Sequence, residues 1–126
     1  MKDYFWLIAL GISIVLFYYQ ITSNNKNSAY VEYVYDGDTF FIDADKGSDK
    51  FRLARIDAPE LNGRTRIDGL KSRWALADLI ENKNIEYIDQ GRGYYGRIIA
   101  EVYVDDTINV SDWLVRHGYA VYKNYD

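Results

Sequence analysis

The chain has 126 residues, of which 48% are hydrophobic and 17% aromatic, and this length and composition suit one small globular domain. It contains no cysteine and a single histidine, His117, which excludes disulfides, thiolate metal sites and a zinc site built from histidines, so a bound metal ion would be held through oxygen, as calcium or magnesium is. The formal net charge of −4 has the wrong sign for a protein that holds nucleic acid by bulk electrostatics, although the local field at a site matters more than the sum.

The N-terminal segment from residue 4 to residue 21 is almost continuously apolar and free of charge. A helix rising about 1.5 Å per residue over this length nearly spans a hydrocarbon core of roughly 30 Å. Aromatic residues lie near both of its ends, at Phe5 and Trp6 and again at 17–19, where rings favour the membrane interface. These features predict a signal anchor, or transmembrane segment, over residues 1–21.

A cleaved signal peptide is the alternative, but no small-x-small cleavage pattern follows the apolar run, and the run is longer than a usual signal core. A buried core helix is disfavoured, because the segment is apolar on all sides. Lys2 and Lys26 flank the segment and leave its topology open from charge alone. Residues 22–28 are polar and without pattern, so we expect a linker before a folded domain over 29–126.

Hydrophobic alternation and β-forming residues predict five strands in the folded domain. Asp36-Gly37 is a strong hairpin signal between the first two strands, and a second turn is expected at 45–49. Ala58-Pro59 ends the third strand, because proline disfavours continued pairing. The predicted strands cover residues 29–35, 39–42, 51–56, 85–88 and 98–104.

Two helices are predicted among these strands. Apolar residues recur at helical spacing from about Asp68 to Ile80. Asn109 and Asp112 have the three-residue spacing of a capping box, which predicts a short helix that closes at Gly118. Three strands, a helix and two more strands is the order of an OB-fold barrel. The predicted class is therefore mainly β, a five-stranded OB-fold barrel with a helix between strands 3 and 4, plus an N-terminal transmembrane helix.

Acidic side chains lie at two of the predicted turns. Asp36 and Asp38 belong to the first hairpin turn, and Asp57 and Glu60 follow the third strand. Carboxylates can hold a hard divalent cation through oxygen, and one of them can take a proton from water. Each pair taken alone also fits an ordinary solvated turn, in which aspartate is a favoured residue.

Two arginines could bind phosphate beside these carboxylates. Arg52 lies within an otherwise apolar strand, where an inward-facing guanidinium must be paired or must meet an anion. Arg55 competes for the inward position, and Arg52 and Asp57 share a face only if the strand bends or ends early. Arg97 follows a glycine and, taken alone, fits an ordinary surface arginine. Because arginine's planar fork matches phosphate oxygens, the combination predicts a metal-assisted phosphodiesterase.

Tyrosine is abundant, with thirteen residues. Tyr94, Tyr95, Tyr122 and Tyr125 could offer faces on which bases stack, at about 1–3 kcal/mol per base. For most of the tyrosines, packing on the sheet or at the membrane interface is the better explanation. Tyr95, which lies beside Arg97, and Tyr122 are the predicted substrate-binding residues.

Together these segments resemble the staphylococcal nuclease (thermonuclease) family from about residue 31 to residue 122. The motifs occur in the family's order at compatible spacing, which is a more specific signal than one short pattern. They are Asp36-Gly37-Asp38-Thr39, Phe51-Arg52-Leu53, Ile56-Asp57-Ala58-Pro59-Glu60, Tyr95-Gly96-Arg97, Asn109-Val110-Ser111 and Leu114-Val115-Arg116-His117-Gly118. The resemblance implies an OB-fold nuclease that requires calcium and hydrolyses DNA and RNA to leave 3′-phosphate ends.

The resemblance also implies a role for each matching residue. Ala58 stands where the best-known members have threonine, a change that is harmless if only its backbone carbonyl binds the ion. Asp36 and Thr39 would support the metal ligands, and Tyr95 would lie beside the nucleotide. The implied catalytic residues are Arg52, Glu60 and Arg97, with Glu60 as general base, and the implied calcium ligands are Asp38, Asp57 and the Ala58 carbonyl.

The sequence departs from the family in two respects. Secreted members usually continue into a third, basic helix, and we expect this helix to be absent because the sequence stops soon after Tyr122. Its absence would expose apolar surface that something else must cover. The acidic net charge also differs from the basic charge of the best-known members, and it predicts weaker capture of substrate.

Other functions are open from the sequence. One is a non-catalytic SNase-like module, tethered to the membrane, that binds nucleic acid or protein, and another is a structural anchored module. The presence of every catalytic-type position favours the nuclease. The predicted partners are a DNA or RNA substrate and, through residues 4–21, the membrane, with no protein partner. The family's usual secretion favours an extracytoplasmic domain, or a secreted protein if the N-terminal segment is cleaved.

Overall fold

The computed structural model describes residues 2–24, 26–42 and 49–124 of the chain. Within these ranges the chain forms a long N-terminal helix, followed by a small barrel with two further helices. The helices are α1 (Lys2–Asn24), α2 (Arg66–Ile80) and α3 (Val110–Arg116). The strands are β1 (Asn27–Val34), β2 (Thr39–Ile42), β3 (Asp49–Leu53), β4 (Ile56–Asp57), β5 (Asn84–Arg92), β6 (Ile98–Val104), β7 (Ile108–Asn109) and β8 (Val121–Tyr122).

Five strands close into a barrel. Antiparallel pairing joins β3 to β2, β2 to β1, β1 to β5 and β5 to β6, and parallel pairing of β3 with β6 closes the ring. The short β7 extends the sheet beside β6, while β4 and β8 form a separate two-stranded ladder. Because α2 lies in sequence between the third and fourth barrel strands, β3 and β5, the predicted barrel with its intervening helix is confirmed.

The third strand is shorter than predicted. β3 ends at Leu53, and a turn at Ala54 and Arg55 separates it from β4. The prediction of one strand over 51–56 is wrong, because Arg55 has a backbone φ of 66°, which a continuous strand does not contain. The other barrel strands overlap their predicted ranges. The turn expected at 45–49 lies outside the described residues, apart from its last position, where β3 begins.

Both predicted helices of the folded domain are confirmed. α2 buries Gly69, Ser72, Leu76 and Ile80, which follow the three- and four-residue spacing of one helix face. This face packs against β1 and α3. At the start of α3 the Asn109 side chain accepts a hydrogen bond from the Asp112 N–H, which is the predicted cap.

The barrel encloses an apolar core with stacked aromatic rings. Phe40 on β2 stacks on Phe51 on β3 with 5.3 Å between ring centroids, and Tyr87 on β5 meets Phe51 edge-on at 4.8 Å. A fully buried side chain of this size contributes roughly 1.5–3 kcal/mol through the hydrophobic effect. Leu76 of α2 and Leu114 of α3 are buried in the same cluster. This packing holds the strands in register, which determines where the residues at the strand ends lie.

The helix α1 is long and apolar enough to cross a membrane, over Asp3–Ile21. Its large apolar side chains are 47% to 74% exposed, so α1 is not a core helix of the barrel. Its length and composition fit a membrane anchor and a signal sequence alike. α1 continues to Asn24 and β1 begins at Asn27, so both elements extend into the segment 22–28 that the sequence predicted as a linker.

Candidate active site

An open cleft of about 970 Å³ lies beside the turn that joins β1 to β2. The ends of β3 and β5, the loop after β4 and the segment after β8 also contribute to its walls. The structure therefore brings side chains from distant parts of the sequence into one pocket. Six of the predicted site residues line it together: Asp36, Asp38, Arg52, Asp57, Glu60 and Arg97.

Asp38 is buried, and hydrogen bonds hold both its carboxylate and its backbone N–H. Its Oδ2 accepts a hydrogen bond from the Ala58 N–H at 2.9 Å, and its Oδ1 accepts one from the Thr39 hydroxyl at 3.2 Å. The Asp38 N–H in turn donates to Asp36 Oδ1 at 3.1 Å. Because of these bonds, the Asp38 carboxylate keeps one orientation toward the cleft. Thr39 and Ala58, which donate two of the bonds, do not themselves line the cleft.

Arg52 is the inward-facing arginine of β3. Its side chain is 12% exposed, and its Nη1 lies 2.9 Å from Asp38 Oδ2 while its Nη2 lies 3.5 Å from Asp57 Oδ1. The same Nη2 donates to the Ile56 carbonyl at 3.3 Å. A buried guanidinium needs such partners, so these contacts explain how a charged side chain is tolerated inside an apolar strand.

The competing arginine, Arg55, points elsewhere. It lies in the turn after β3, and its guanidinium donates to Glu101 on β6 and to Asp112 on α3. The turn also removes the difficulty that Arg52 and Asp57 are separated by an odd number of positions, because β3 ends before Asp57 is reached.

Asp36 is a half-buried carboxyl group beside Asp38. Burial and the neighbouring Asp38 carboxylate raise the pKa of Asp36 to about 6. The hydrogen bond from the Asp38 N–H opposes this shift without cancelling it. Asp36 therefore exchanges a proton close to neutral pH.

Glu60 extends from the loop after β4 into the cleft and is exposed. Its backbone carbonyl accepts a hydrogen bond from the Thr65 hydroxyl at 2.9 Å. A Cβ placed on Gly69 of α2 would lie only 2.4 Å from that carbonyl oxygen, so the loop is packed closely on the helix. In the described part of the chain no side chain is paired with the Glu60 carboxylate, which leaves it available to a ligand.

Arg97 lies at the start of β6, after a tight turn over 94–96. Its Nε donates to the Tyr94 carbonyl at 3.2 Å, and its carbonyl accepts a hydrogen bond from the Gly93 N–H at 2.8 Å. Within the described ranges Arg97 makes no salt bridge. Arg97 lines the cleft, and no described carboxylate pairs with its guanidinium.

The two predicted substrate-binding tyrosines lie outside the cleft lining. Tyr95 is 97% exposed at the tip of its turn, and the neighbouring Tyr94 lines the cleft instead. Tyr122 pairs with Ile56 in the β4–β8 ladder, and its hydroxyl donates to Asp112 at 2.8 Å, which raises the pKa of Tyr122. Tyr125 lies outside the described residues.

The sequence reasoning missed two basic residues of the cleft. Lys123 follows β8, and its Nζ lies 3.7 Å from Asp57 Oδ2. Arg92 ends β5 and donates to the Gly96 carbonyl at 3.3 Å. Arg92 lies in a Gly-Arg-Gly stretch close to Arg97 in sequence, and this proximity could have indicated that it belongs to the same site. The strand pairing that brings Lys123 to Asp57 has no signature in the local sequence.

The charge of the cleft differs from the charge of the chain. The whole chain carries a net charge of −4. Five basic residues line the cleft against four acidic ones, and because Arg55 is paired with Glu101 and Asp112, which are not part of the lining, a phosphate group meets roughly balanced charge there. The basic residues are Arg52, Arg55, Arg92, Arg97 and Lys123, and the acidic residues are Asp36, Asp38, Asp57 and Glu60.

The cleft contains oxygen donors of the kind that bind a hard cation. Across residues 2–24, 26–42 and 49–124, no three His, Cys, Asp or Glu side chains are grouped as a metal site made of side chains alone would require. Asp38 and Asp57 instead share the guanidinium of Arg52. Two carboxylates that converge on one cationic group are suitable ligands for a hard cation, and the carbonyl of Ala58 would be a neutral donor of the same kind. The donor set thus fits calcium in its chemistry.

Comparison with known proteins gives one family and several relatives. Residues 50–126 match the family described as "Staphylococcal nuclease homologue". A protein of Haemophilus influenzae named "Uncharacterized endonuclease" is 37% identical over 105 residues, which cover 82% of this chain and 57% of that protein. A protein of the same name from Escherichia coli is 37% identical over 97 residues, covering 74% of this chain and 60% of that protein. The chain thus spans somewhat more than half the length of these relatives.

Proposed function

This chain belongs to the family of staphylococcal nuclease homologues, and on that premise we propose that it is a nuclease that hydrolyses phosphodiester bonds of DNA and RNA. The names of its relatives, both endonucleases, support this proposal. The observation that carries it is the cleft itself, in which two arginines and several carboxylates face a common space. That combination suits a phosphate group and a water molecule that attacks it.

Ca²⁺ is the proposed cofactor, with the carboxylates of Asp38 and Asp57 and the carbonyl of Ala58 as its ligands. When bound, Ca²⁺ would supply positive charge beside the phosphate. The contact of both carboxylates with one guanidinium supports this assignment, because the two side chains lie beside the same cationic group. Asp36 and Thr39 support the ligands by hydrogen bonds at the backbone and the side chain of Asp38.

Arg52 and Arg97 are the proposed phosphate-binding residues. Each guanidinium can donate two hydrogen bonds to phosphate oxygens, and the negative charge on these oxygens grows in the transition state. Arg52 is held rigidly by Asp38 and Asp57, so little reorganisation is needed when the phosphate arrives. The Arg97 Nε donates to the Tyr94 carbonyl, and within the described residues no carboxylate pairs with its two Nη groups, which are therefore available to the substrate.

Glu60 is the proposed general base. Its carboxylate is exposed in the cleft and unpaired within the described residues, so it can accept a proton from a water molecule that attacks the phosphorus. Attack in line with the 5′ oxygen would expel that oxygen and leave a 3′-phosphate end. General-base assistance of this kind contributes about 10²–10⁴ in rate.

The proposed location is a membrane anchor through residues 4–21 with the barrel on the extracytoplasmic side. α1 has the length and the apolar surface for this. Extracytoplasmic calcium would also be abundant enough for a weak site of the millimolar class. A secreted form would follow if the N-terminal segment were cleaved.

The decisive experiment measures the degradation of denatured DNA and of RNA by the full chain, purified in detergent. We expect release of acid-soluble nucleotides with CaCl₂ and its loss with EGTA, and we expect fragments that need phosphatase treatment before a polymerase extends their 3′ ends. Activity unaffected by EGTA would contradict the role of calcium. Binding of labelled single strands without cleavage under any divalent ion would instead support the non-catalytic module.

A further inference from the structure

The turn between β3 and β4 decides how the cleft is assembled. Arg52 and Asp57 are five positions apart in sequence, so in one continuous strand their side chains would point to opposite faces of the sheet. In the structure Arg52 Nη2 lies 3.5 Å from Asp57 Oδ1. The turn at Ala54 and Arg55 makes this contact possible, because it ends β3 and redirects the chain into β4.

Arg55 holds the backbone conformation that this turn needs. Its φ is 66°, in the left-handed region that glycine adopts easily and that other residues adopt at a cost. A residue stays in such a conformation when the surrounding contacts over-determine it. The side chain of Arg55 makes contacts of that kind.

Two carboxylates from other elements hold the Arg55 guanidinium. Its Nε and Nη2 donate to Glu101 on β6, with Nη2 at 3.1 Å from Oε2, and its Nη1 donates to Asp112 on α3 at 3.0 Å. Glu101 is 7% exposed, and the Asn109 side chain donates to its Oε2 at 2.9 Å. The hydrogen bonds to Glu101 raise the pKa of Arg55, so its guanidinium stays charged at any working pH.

The segment around β8 is attached to the same residue. The Lys123 N–H donates to the Arg55 carbonyl at 2.8 Å. The Tyr122 hydroxyl donates to Asp112 Oδ1 at 2.8 Å, and although burial opposes ionisation of Asp112, the hydrogen bonds from Tyr122 and Arg55 lower its pKa. Arg55 thus links β6, β8 and α3 around the turn that leads to Asp57.

We propose that Arg55 is a positioning residue, whose paired guanidinium holds the β3–β4 turn so that Asp57 faces Arg52 across the cleft. This inference rests on the proposed function, because it concerns the same site. Arg55 is committed to Glu101 and Asp112, so it acts through the turn and not by binding the phosphate. If the turn loosens, Asp57 moves, and a displacement of about 1 Å in such a site can lower turnover about 10²-fold.

The variant Arg55→Gly removes the guanidinium without straining the backbone, since glycine adopts a positive φ readily. It also leaves the buried Glu101 without its main partner, which can lower stability. The double variant Arg55→Gly/Glu101→Gln removes both charges, so no buried carboxylate is left at position 101 without its cationic partner, and the protein is expected to fold. Asp106→Gly is the matched control, because Asp106 has a φ of 63° in an exposed turn and lies outside the cleft lining.

Two measurements on the full chain in detergent test the proposal. Steady-state kinetics on denatured DNA separates kcat from KM, and we expect kcat of the double variant to fall about 10²-fold with little change in KM. Amide exchange followed by NMR in EGTA reports on the turn without catalysis, through the Lys123 N–H and the Ala58 N–H that donates to Asp38. We expect both amides to lose protection about tenfold or more, while the melting temperature stays close to that of the wild type.

Wild-type turnover in a folded double variant would overturn the proposal, and so would unchanged protection of the two amides. Turnover that is reduced only near the melting temperature, and is normal well below it, would also overturn the proposal, because that pattern reflects global unfolding. An equal loss in Asp106→Gly would overturn it as well, since any glycine in a turn would then suffice. Absence of activity in the wild type would overturn the proposed function instead, and amide exchange would still decide whether Arg55 holds the turn.

Discussion

The guanidinium of Arg52 is the centre of the cleft. It lies 2.9 Å from Asp38 and 3.5 Å from Asp57, which come from two different turns of the chain. Arginine suits this position because its planar fork can meet two carboxylates and still present N–H groups to a phosphate. Arg52 neutralises Asp38 and Asp57, whereas Glu60 and Arg97 form no salt bridge within the described residues.

Removal of the proposed general base should abolish most activity. We expect Glu60→Gln to lower kcat on denatured DNA by at least about 10²-fold, because the amide cannot accept the proton of water. The fold should persist, since Glu60 is exposed and its carboxylate has no partner among the described residues. Glu32→Gln, at an exposed position on β1, is the matched control and should keep wild-type kinetics. Near-normal turnover of purified Glu60→Gln would remove this assignment.

Arg52→Ala should also lower turnover by at least about 10²-fold, because it removes a donor that stabilises charge on the phosphate. We further expect a lower melting temperature by circular dichroism, since Asp38 is buried and would lose its cationic partner. Arg116→Ala, an exposed arginine outside the cleft, provides the comparison. A folded Arg52→Ala protein with full activity would contradict the role of Arg52.

Asp36 should make the stability of the metal-free chain depend on pH. Its pKa is raised from 3.8 to about 6 in the folded state, so its contribution to stability is present below pH 3.8 and is lost as the pH rises through 6. With allowance for partial exposure, the loss is on the order of 2 kcal/mol. Urea unfolding in EGTA at pH 4 to 7 should reveal this decline in the wild type, and Asp36→Asn should lack it. Identical pH dependence in both proteins would refute the shift.

At the scale of the elements, α2 sets the position of the loops that carry the site. Its residue Gly69 has no room for a Cβ, which would lie 2.4 Å from the Glu60 carbonyl oxygen. Ser72, about one turn further along α2, packs against the β1–β2 turn. A Cβ placed on Gly37 of that turn would lie 2.6 Å from Ser72 Cβ and 2.7 Å from Ala58 Cβ. The β1–β2 turn, the loop after β4 and α2 are therefore in direct contact.

Gly69→Ala tests this packing. Alanine is favoured over glycine within a helix by about 1 kcal/mol, so propensity alone predicts stabilisation. The contact with the Glu60 carbonyl predicts the opposite, a destabilisation of about 1–3 kcal/mol together with reduced turnover, because backbone must move. Denaturant unfolding and kinetics measure the two effects, with exposed Lys71→Ala on the same helix as the control. A more stable and fully active Gly69→Ala protein would show that the loop after β4 can move without loss of stability or turnover.

At the scale of the whole molecule, an acidic chain carries a cleft that is not acidic. The net charge is −4, yet five basic residues line the cleft. Long-range attraction of the proposed nucleic-acid substrate would therefore be weak, and its capture would depend on contacts within the cleft. The exposed apolar surface of α1 suits a lipid environment, so α1 would concentrate the protein at a membrane.

If residues 4–21 anchor the chain in a membrane, we expect the chain to remain in the membrane fraction after an alkaline carbonate wash. Ile12→Arg, near the centre of the apolar segment, should release part of the protein, because a central arginine costs roughly 2.5–3.5 kcal/mol on insertion. Gln20→Arg, near the end of the segment, should be retained, since its side chain can reach the interface. Fractionation with immunodetection measures both. Release of the wild type as a shorter, processed chain would contradict the anchor and support a cleaved signal sequence.

Some of these features were readable from short stretches of sequence. Alternation placed the barrel strands, the spacing of apolar residues placed α2, and Asn109 with Asp112 identified the cap of α3. The carboxylates and arginines of the cleft were identified from turns and motifs near strand ends. Each of these signals depends on residues close together in the chain, and local sequence determines local conformation.

Other features depended on partners far away in sequence. The break of the third strand depends on Arg55, whose partner Glu101 is 46 residues distant, so the apolar run 51–56 read as one strand. Likewise Lys123 reaches Asp57 through the β4–β8 pairing, which has no local signature. The sequence by itself determined the elements and the chemical groups available to the site. Only the tertiary structure decided which groups face one another, because contacts between distant segments follow from packing and pairing of the whole chain.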